Sequence, residues 1–151
     1  MQNFTRKRIR LNSYDYSADG AYFVTVCTDQ KRCLLGSIAP DGEDVSLSAC
    51  GEAVRESIMR LPAVFGEIHI PIYVIMPNHV HMIVHLEHQT KTLSQIINYF
   101  KGNVTRKLHT ALWQRSFYEH VIRNEKDYDE IAEYIALNPR RWALDRYYSV
   151  E

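Results

Sequence analysis

The chain has 151 residues, 46% of them hydrophobic, and its 18 Lys plus Arg balance its 18 Asp plus Glu. That length suits a single domain over residues 1–151 whose core needs no disulfide or structural metal, and the balance excludes a global positive field for a polyanion. Cys27, Cys33 and Cys50 are an odd number without C-x-x-C spacing, the basic N-terminus carries no apolar stretch, and no run approaches a membrane span, so a cytoplasmic protein with reduced thiols and no membrane partner is expected.

Residues 22–27 alternate and are rich in β-branched and aromatic side chains, which predicts a first strand. Residues 34–38 and 44–47 flank Pro40-Asp41-Gly42, a turn sequence, and predict a small hairpin. Ser48 is placed to cap a helix whose apolar positions Cys50, Ala53, Val54, Ile58 and Leu61 recur at three-to-four spacing, with Pro62 as its expected end. A strand over residues 70–76 follows, then Pro77-Asn78 as a turn, then a strand whose apolar face is Val80, Met82, Val84 and Leu86.

Thr92-Leu93-Ser94-Gln95 is a capping box that opens a second helix, with a stripe of Leu93, Ile96, Ile97, Phe100, Val104 and Leu108. Residues 116–122 predict a fourth strand, and residues 125–137 a third helix that must stop before Pro139. The order strand, helix, strand, strand, helix, strand, helix predicts an α+β, ferredoxin-like antiparallel sheet with helices on one face and an added C-terminal helix.

On the strand after Pro77-Asn78, His79, His81 and His85 share the face opposite the apolar one. His79 and His81, separated by one apolar residue, are half a metal site; by themselves they read equally as two hydrogen-bonded strand histidines. On the third helix, Tyr128, Ile131, Ala132 and Ile135 form the buried stripe, and Tyr134 and Asn138, four apart, lie together on one edge. By themselves they read as a boundary aromatic and a helix-ending turn.

Five blocks resemble the single-tyrosine HUH transposases, most closely the branch of REP-associated tyrosine transposases. They are Tyr73-Val74-Ile75-Met76-Pro77-Asn78-His79-Val80-His81, Phe100-Lys101-Gly102, Leu112-Trp113-Gln114-Arg115-Ser116-Phe117-Tyr118, Ile122-Arg123-Asn124-Glu125 and Tyr134-Ile135-Ala136-Leu137-Asn138-Pro139. Each is modest, but they stand in order over roughly residues 20–142. The resemblance implies a ferredoxin-like fold, His79 and His81 as the metal-binding pair, Tyr134 as the nucleophile and Asn138 as the third protein ligand. It also implies a divalent cation and single-stranded or hairpin DNA as substrate. Monomer and homodimer both stay open, because the resemblance implies mobile-element relatives that act as dimers exchanging the tyrosine helix, whereas the repeat-associated branch need not.

The residue chemistry is compatible with that implication. Two imidazoles and an amide oxygen leave coordination positions open, which suits Mg²⁺ or Mn²⁺ on a phosphodiester better than a closed zinc site. A phenol with a pKa of about 10 needs such help to attack near neutrality. Neutral imidazoles are required, so cation binding is expected to weaken as pH falls through roughly 6.5. Local basic segments are the candidate DNA contacts: Arg6, Lys7, Arg8 and Arg10 near the N-terminus, Arg140 and Arg141 near the C-terminus, and Lys101 on the edge of the second helix's stripe, where it reads equally as a lysine that lays its stem on the core. Tyr14, Tyr16, Trp142, Tyr147 and Tyr148 offer stacking faces nearby in sequence. A histidine-triad nucleotide hydrolase is disfavoured because Ile83 stands where its third His would be. A non-catalytic nucleic-acid-binding module on the same fold is the alternative function.

Overall fold

The computed structural model describes residues 20–39, 44–88 and 91–145. Arg6, Lys7, Arg8, Arg10, the Pro40-Asp41-Gly42 turn and Tyr14, Tyr16, Tyr147 and Tyr148 lie outside the described residues. Strand β1 (Gly20–Cys27) is followed by a 3-10 turn at Asp29–Lys31. The expected hairpin forms from two short strands, β2 (Gly36–Ser37) and β3 (Ser46–Leu47). Helix α1 spans Ala49–Phe65, with the Ser48 hydroxyl accepting the Gly51 N–H at 3.1 Å.

Pro62 was the expected end of α1, yet the helix runs on to Phe65. Pro62 removes one backbone donor, but Phe65 packs edge-on against Tyr99 of the next helix at 5.3 Å, and that contact holds the extra turn in place. The stop comes at Gly66, whose φ of 65° is open to glycine at little cost.

Strands β4 (Ile68–Met76) and β5 (His79–Leu86) join through Pro77-Asn78. β4 starts two residues earlier than the apolar run suggested, and carries Pro71 within a register shift between His69 and Ile72. An edge strand tolerates Pro at such an irregularity because no neighbour needs the missing N–H. Helix α2 (Leu93–Leu108) carries both bonds of the expected capping box, and β6 is confined to Tyr118–Ile122. Helix α3 (Glu125–Leu137) is capped by Asn124, whose side chain accepts the Asp127 N–H at 2.7 Å, and a 3-10 turn over Pro139–Leu144 follows.

The four long strands lie in the order β4-β5-β1-β6, all antiparallel, which is the ferredoxin-like arrangement. One sheet face, with Tyr22, Val24, Val26, Val80, Met82 and Val84, packs against the stripes of α1 and α2 to form the main core. The other face carries Ala21, Ile83 and Ile122 and is covered by Tyr128 and Ile135 of α3. β5 is therefore central and buried on both sides. Its histidines do not face water; they point into the layer beneath α3.

Candidate active site

Strand alternation puts His79, His81 and His85 on the α3 side of β5, and all three are buried. Only the first two converge, with ring centroids 4.4 Å apart; His85, at the far end of the strand, lies 6.1 Å from the ring of His69.

Each of the converging rings is held from behind. His81 Nδ1 lies 2.8 Å from Thr25 Oγ1 on the adjacent strand, and His79 Nδ1 lies 2.8 Å from Asn78 Oδ1. The Asn78 amide nitrogen donates to the Lys31 carbonyl at 3.1 Å, which orients its oxygen toward His79. Nδ1 of His79 is then the protonated nitrogen, and Nε2 the one that would ligate a cation. Burial pushes His79 down to about 4, a shift increased by the Lys31 charge and opposed by the Asp145 carboxylate and the Asn138 amide. The imidazole is thus held in the neutral form that metal ligation requires.

From above, α3 and the turn after it close over this pair. The Tyr134 ring sits 5.2 Å from His81 and meets Phe23 edge-on at 6.2 Å, with the residue 37% exposed. Asn138, one turn later, is buried; its amide nitrogen points to the Tyr134 carbonyl at 3.5 Å, while its Oδ1 is sealed from solvent and, with only the His79 ring near, meets no donor at hydrogen-bonding geometry among the described residues. A buried acceptor without a donor is costly unless something else satisfies it. The Pro139–Leu144 turn reverses the chain so that Trp142 lies 6.2 Å from His79, and Asp145 brings its carboxylate to the Tyr134 hydroxyl at 3.4 Å.

Ligand atoms of His79, His81 and Asp145 lie within 4.8 Å of one another. Two imidazoles, a carboxylate and an uncompensated amide oxygen fit a divalent cation of the Mg²⁺, Mn²⁺ or Zn²⁺ kind.

Asp145 had no motif to mark it. The only signal was Pro139, which starts a turn capable of folding the chain back. Asn78 and Thr25 were equally silent, since a strand-end amide and a strand hydroxyl have many uses. Lys101, expected within reach of a phosphate, turns inward instead: its ammonium donates to the carbonyls of Gln114, Arg115 and Ser116 at 2.6, 3.1 and 3.3 Å. Burial favours that arrangement because three carbonyls replace the water around the charge. Arg140 and Arg141 lie exposed on the turn beside the site. Among the described residues no helix is long and apolar enough to cross a membrane.

The sheet order makes this a ferredoxin-like α+β domain with a histidine-tyrosine cluster under its C-terminal helix, and comparison with known proteins gives it a family. No family model matches the chain. A REP-associated tyrosine transposase of Escherichia coli is 35% identical to it, over 82% of this chain and 68% of that protein. An uncharacterised protein of Haemophilus influenzae is 36% identical, over 95% of this chain and 93% of its own length. Among solved structures, a REP-associated tyrosine transposase bound to a REP hairpin superposes with a TM-score of 0.68 at 27% identity, covering 85% of this chain and 71% of that one. The chain belongs to the REP-associated tyrosine transposases, a family of DNA-processing enzymes.

Proposed function

We propose that this protein is a metal-dependent transesterase that cleaves and rejoins single-stranded DNA at hairpin or repeat sequences through a 5′-phosphotyrosine intermediate. The observation that carries the reading is the meeting of the Tyr134 hydroxyl, Asp145 and the paired His79 and His81 in one cluster. The similarity to a transposase bound to a REP hairpin supports the choice of substrate.

In this reading His79, His81 and Asn138, joined by Asp145, hold Mg²⁺ or Mn²⁺. When bound there, the cation would supply Lewis-acid stabilisation of charge on the phosphate oxygens. Asn78 and Thr25 fix the two imidazoles. Asp145 orients the phenol of Tyr134, whose oxygen forms a bond to phosphorus as the bond to the 3′ oxygen breaks. The phenol proton ends on the released 3′-hydroxyl, so atoms balance without water or ATP, and the reverse reaction rejoins strands. The exposed Arg140 and Arg141, with Arg6, Lys7, Arg8 and Arg10, contribute phosphate contacts.

The test incubates labelled hairpin oligonucleotides with the protein and Mn²⁺ and resolves covalent protein–DNA adducts. Wild type and Tyr128→Phe form the adduct, whereas Tyr134→Phe binds the cation and DNA but forms none. No adduct with any hairpin, together with cation binding that is indifferent to His79→Ala and His81→Ala, would leave a non-catalytic binding module.

A further inference from the structure

Beside the histidine pair, where α3 no longer covers the sheet, lies a cleft of about 390 Å³ lined by Thr25, Cys27 and Lys31 on one side and Gln114, Ser116, Phe117 and Tyr118 on the other. Building on the single-stranded DNA reading above, we propose that it seats one unpaired nucleotide adjacent to the scissile phosphate, with a phosphate at Lys31 and the base stacked on Tyr118.

The cleft is continuous with the cluster. Thr25, on its floor, is the residue bonded to His81, and Cys27 stands opposite His79 in the strand register. Its volume falls in the range of roughly 300–1,000 Å³ usual for small-ligand pockets.

One wall is a strained turn. Gln30 and Lys31 take φ of 56° and 54°, a left-handed conformation that side chains with a Cβ disfavour. Such strain persists only when the surroundings hold it, and it gathers where function needs a fixed side chain. Here the Thr28 hydroxyl donates to the Arg32 carbonyl at 2.7 Å, and Asn78, the same amide that orients His79, holds the Lys31 carbonyl. The base of the Lys31 side chain is thereby tied to a metal-ligand candidate through a single residue.

The opposite wall is the 114–118 segment, pinned by the three Lys101 bonds and by the Gln114 N–H donating to the Cys27 carbonyl at 2.9 Å. On it Tyr118 is 49% exposed, with its ring held edge-on to Phe23 at 6.1 Å. A rigid, half-exposed aromatic is what a base stacks on. The lining combines a cation, two aromatic rings, a thiol, an amide and hydroxyls with no carboxylate, which suits an anionic ligand that also presents a planar face to stack and polar edges to bond.

The probe is a labelled oligodeoxynucleotide hairpin with unpaired flanks, carrying 5-iodouracil at successive flank positions. Binding and photocrosslinking are run in EDTA, and adduct formation on the same oligonucleotides in Mn²⁺. One flank position should crosslink to the peptide containing Tyr118. Tyr118→Ala should weaken binding about tenfold or more while Tyr118→Phe stays near wild type. Lys31→Asn, which tolerates the left-handed turn, should lower the slope of log affinity against log salt by about 0.7, and Lys31→Arg should restore it. Crosslinks that avoid this peptide, or Tyr118→Ala and Lys31→Asn proteins that bind as wild type does, would overturn the nucleotide seat. Adduct without the Tyr118 crosslink defeats the seat alone; the crosslink without adduct defeats the transesterase reading alone.

Discussion

Asn138 carries a feature that stability alone does not explain: a sealed amide oxygen that accepts no hydrogen bond among the described residues. Removing such a group relieves a desolvation cost, so Asn138→Ala should leave the cation-free protein as stable as wild type or slightly more so, within about 1 kcal/mol, while weakening Mn²⁺ binding. Chemical denaturation in EDTA and calorimetry with Mn²⁺ separate the two effects, and a loss of stability without a loss of affinity would return Asn138 to a helix-ending role. Thr25→Val keeps the shape of the strand but removes the oxygen behind His81, and about 10–100-fold in affinity is expected to go with it. His79 also sets an acid limit. Its folded pKa, pushed down to about 4, lies below the unfolded value of about 6.5, so the unfolded chain takes up the proton more readily. The stability of the cation-free protein should be fully present above pH 6.5 and decline as pH falls toward 4, and His79→Gln should flatten that limb in denaturant titrations. The simple expectation of a neutral ring only above 6.5 overlooked burial between two layers.

Among the elements, those with signals inside their own sequence were the legible ones. Ser48 and the Thr92–Gln95 box mark their helices at the bonds observed, and the stripe of α2 from Leu93 to Val104 lies in the core, with Leu108 half-buried against it. Pro62 misled because a breaker signal is local, whereas the Phe65–Tyr99 contact that outweighs it spans two helices. The site divided in the same way: His79, His81, Tyr134 and Asn138 have helix or strand spacing, Asn78 stands beside His79 in the chain but its side-chain direction is set by the Lys31 carbonyl, and Asp145, Thr25 and Lys31 reach the cluster only through tertiary folding. Lys101 shows the limit of reading charge by position, since an ammonium on a helix edge has no sign of whether its partner is a phosphate or a carbonyl. Its three bonds tie α2 to the segment before β6. Lys101→Met should retain the apolar stem and lose those bonds, lowering stability by about 1–3 kcal/mol. The salt dependence of DNA binding should stay unchanged, whereas a lysine on phosphate would reduce the slope; thermal melts and binding at several salt concentrations check both.

At the scale of the molecule, equal numbers of acidic and basic residues mean that DNA must be held by local groups. The placement of α3 then bears on how many chains make a site. The helix packs Tyr128 and Ile135 onto its own sheet, and this sets Tyr134 against His81 of the same chain at 5.2 Å. In an exchanged-helix dimer, histidines and tyrosine of one site would come from different chains, and a mixture of two defective proteins could rebuild a working site. If α3 stays on its own sheet during the reaction, each chain keeps its own tyrosine. Mixing His79→Ala/His81→Ala protein with Tyr134→Phe protein should therefore yield no covalent adduct on a hairpin oligonucleotide in Mn²⁺, at any ratio and after co-refolding. Both parents must first be shown to be folded by their melting curves, and wild type must form adduct in the same buffer. Adduct appearing in the mixture, on the chain that retains Tyr134 but lacks the histidines, would mean that the helix crosses between protomers during catalysis, and that the packing of α3 on its own sheet is a resting arrangement and not the active one.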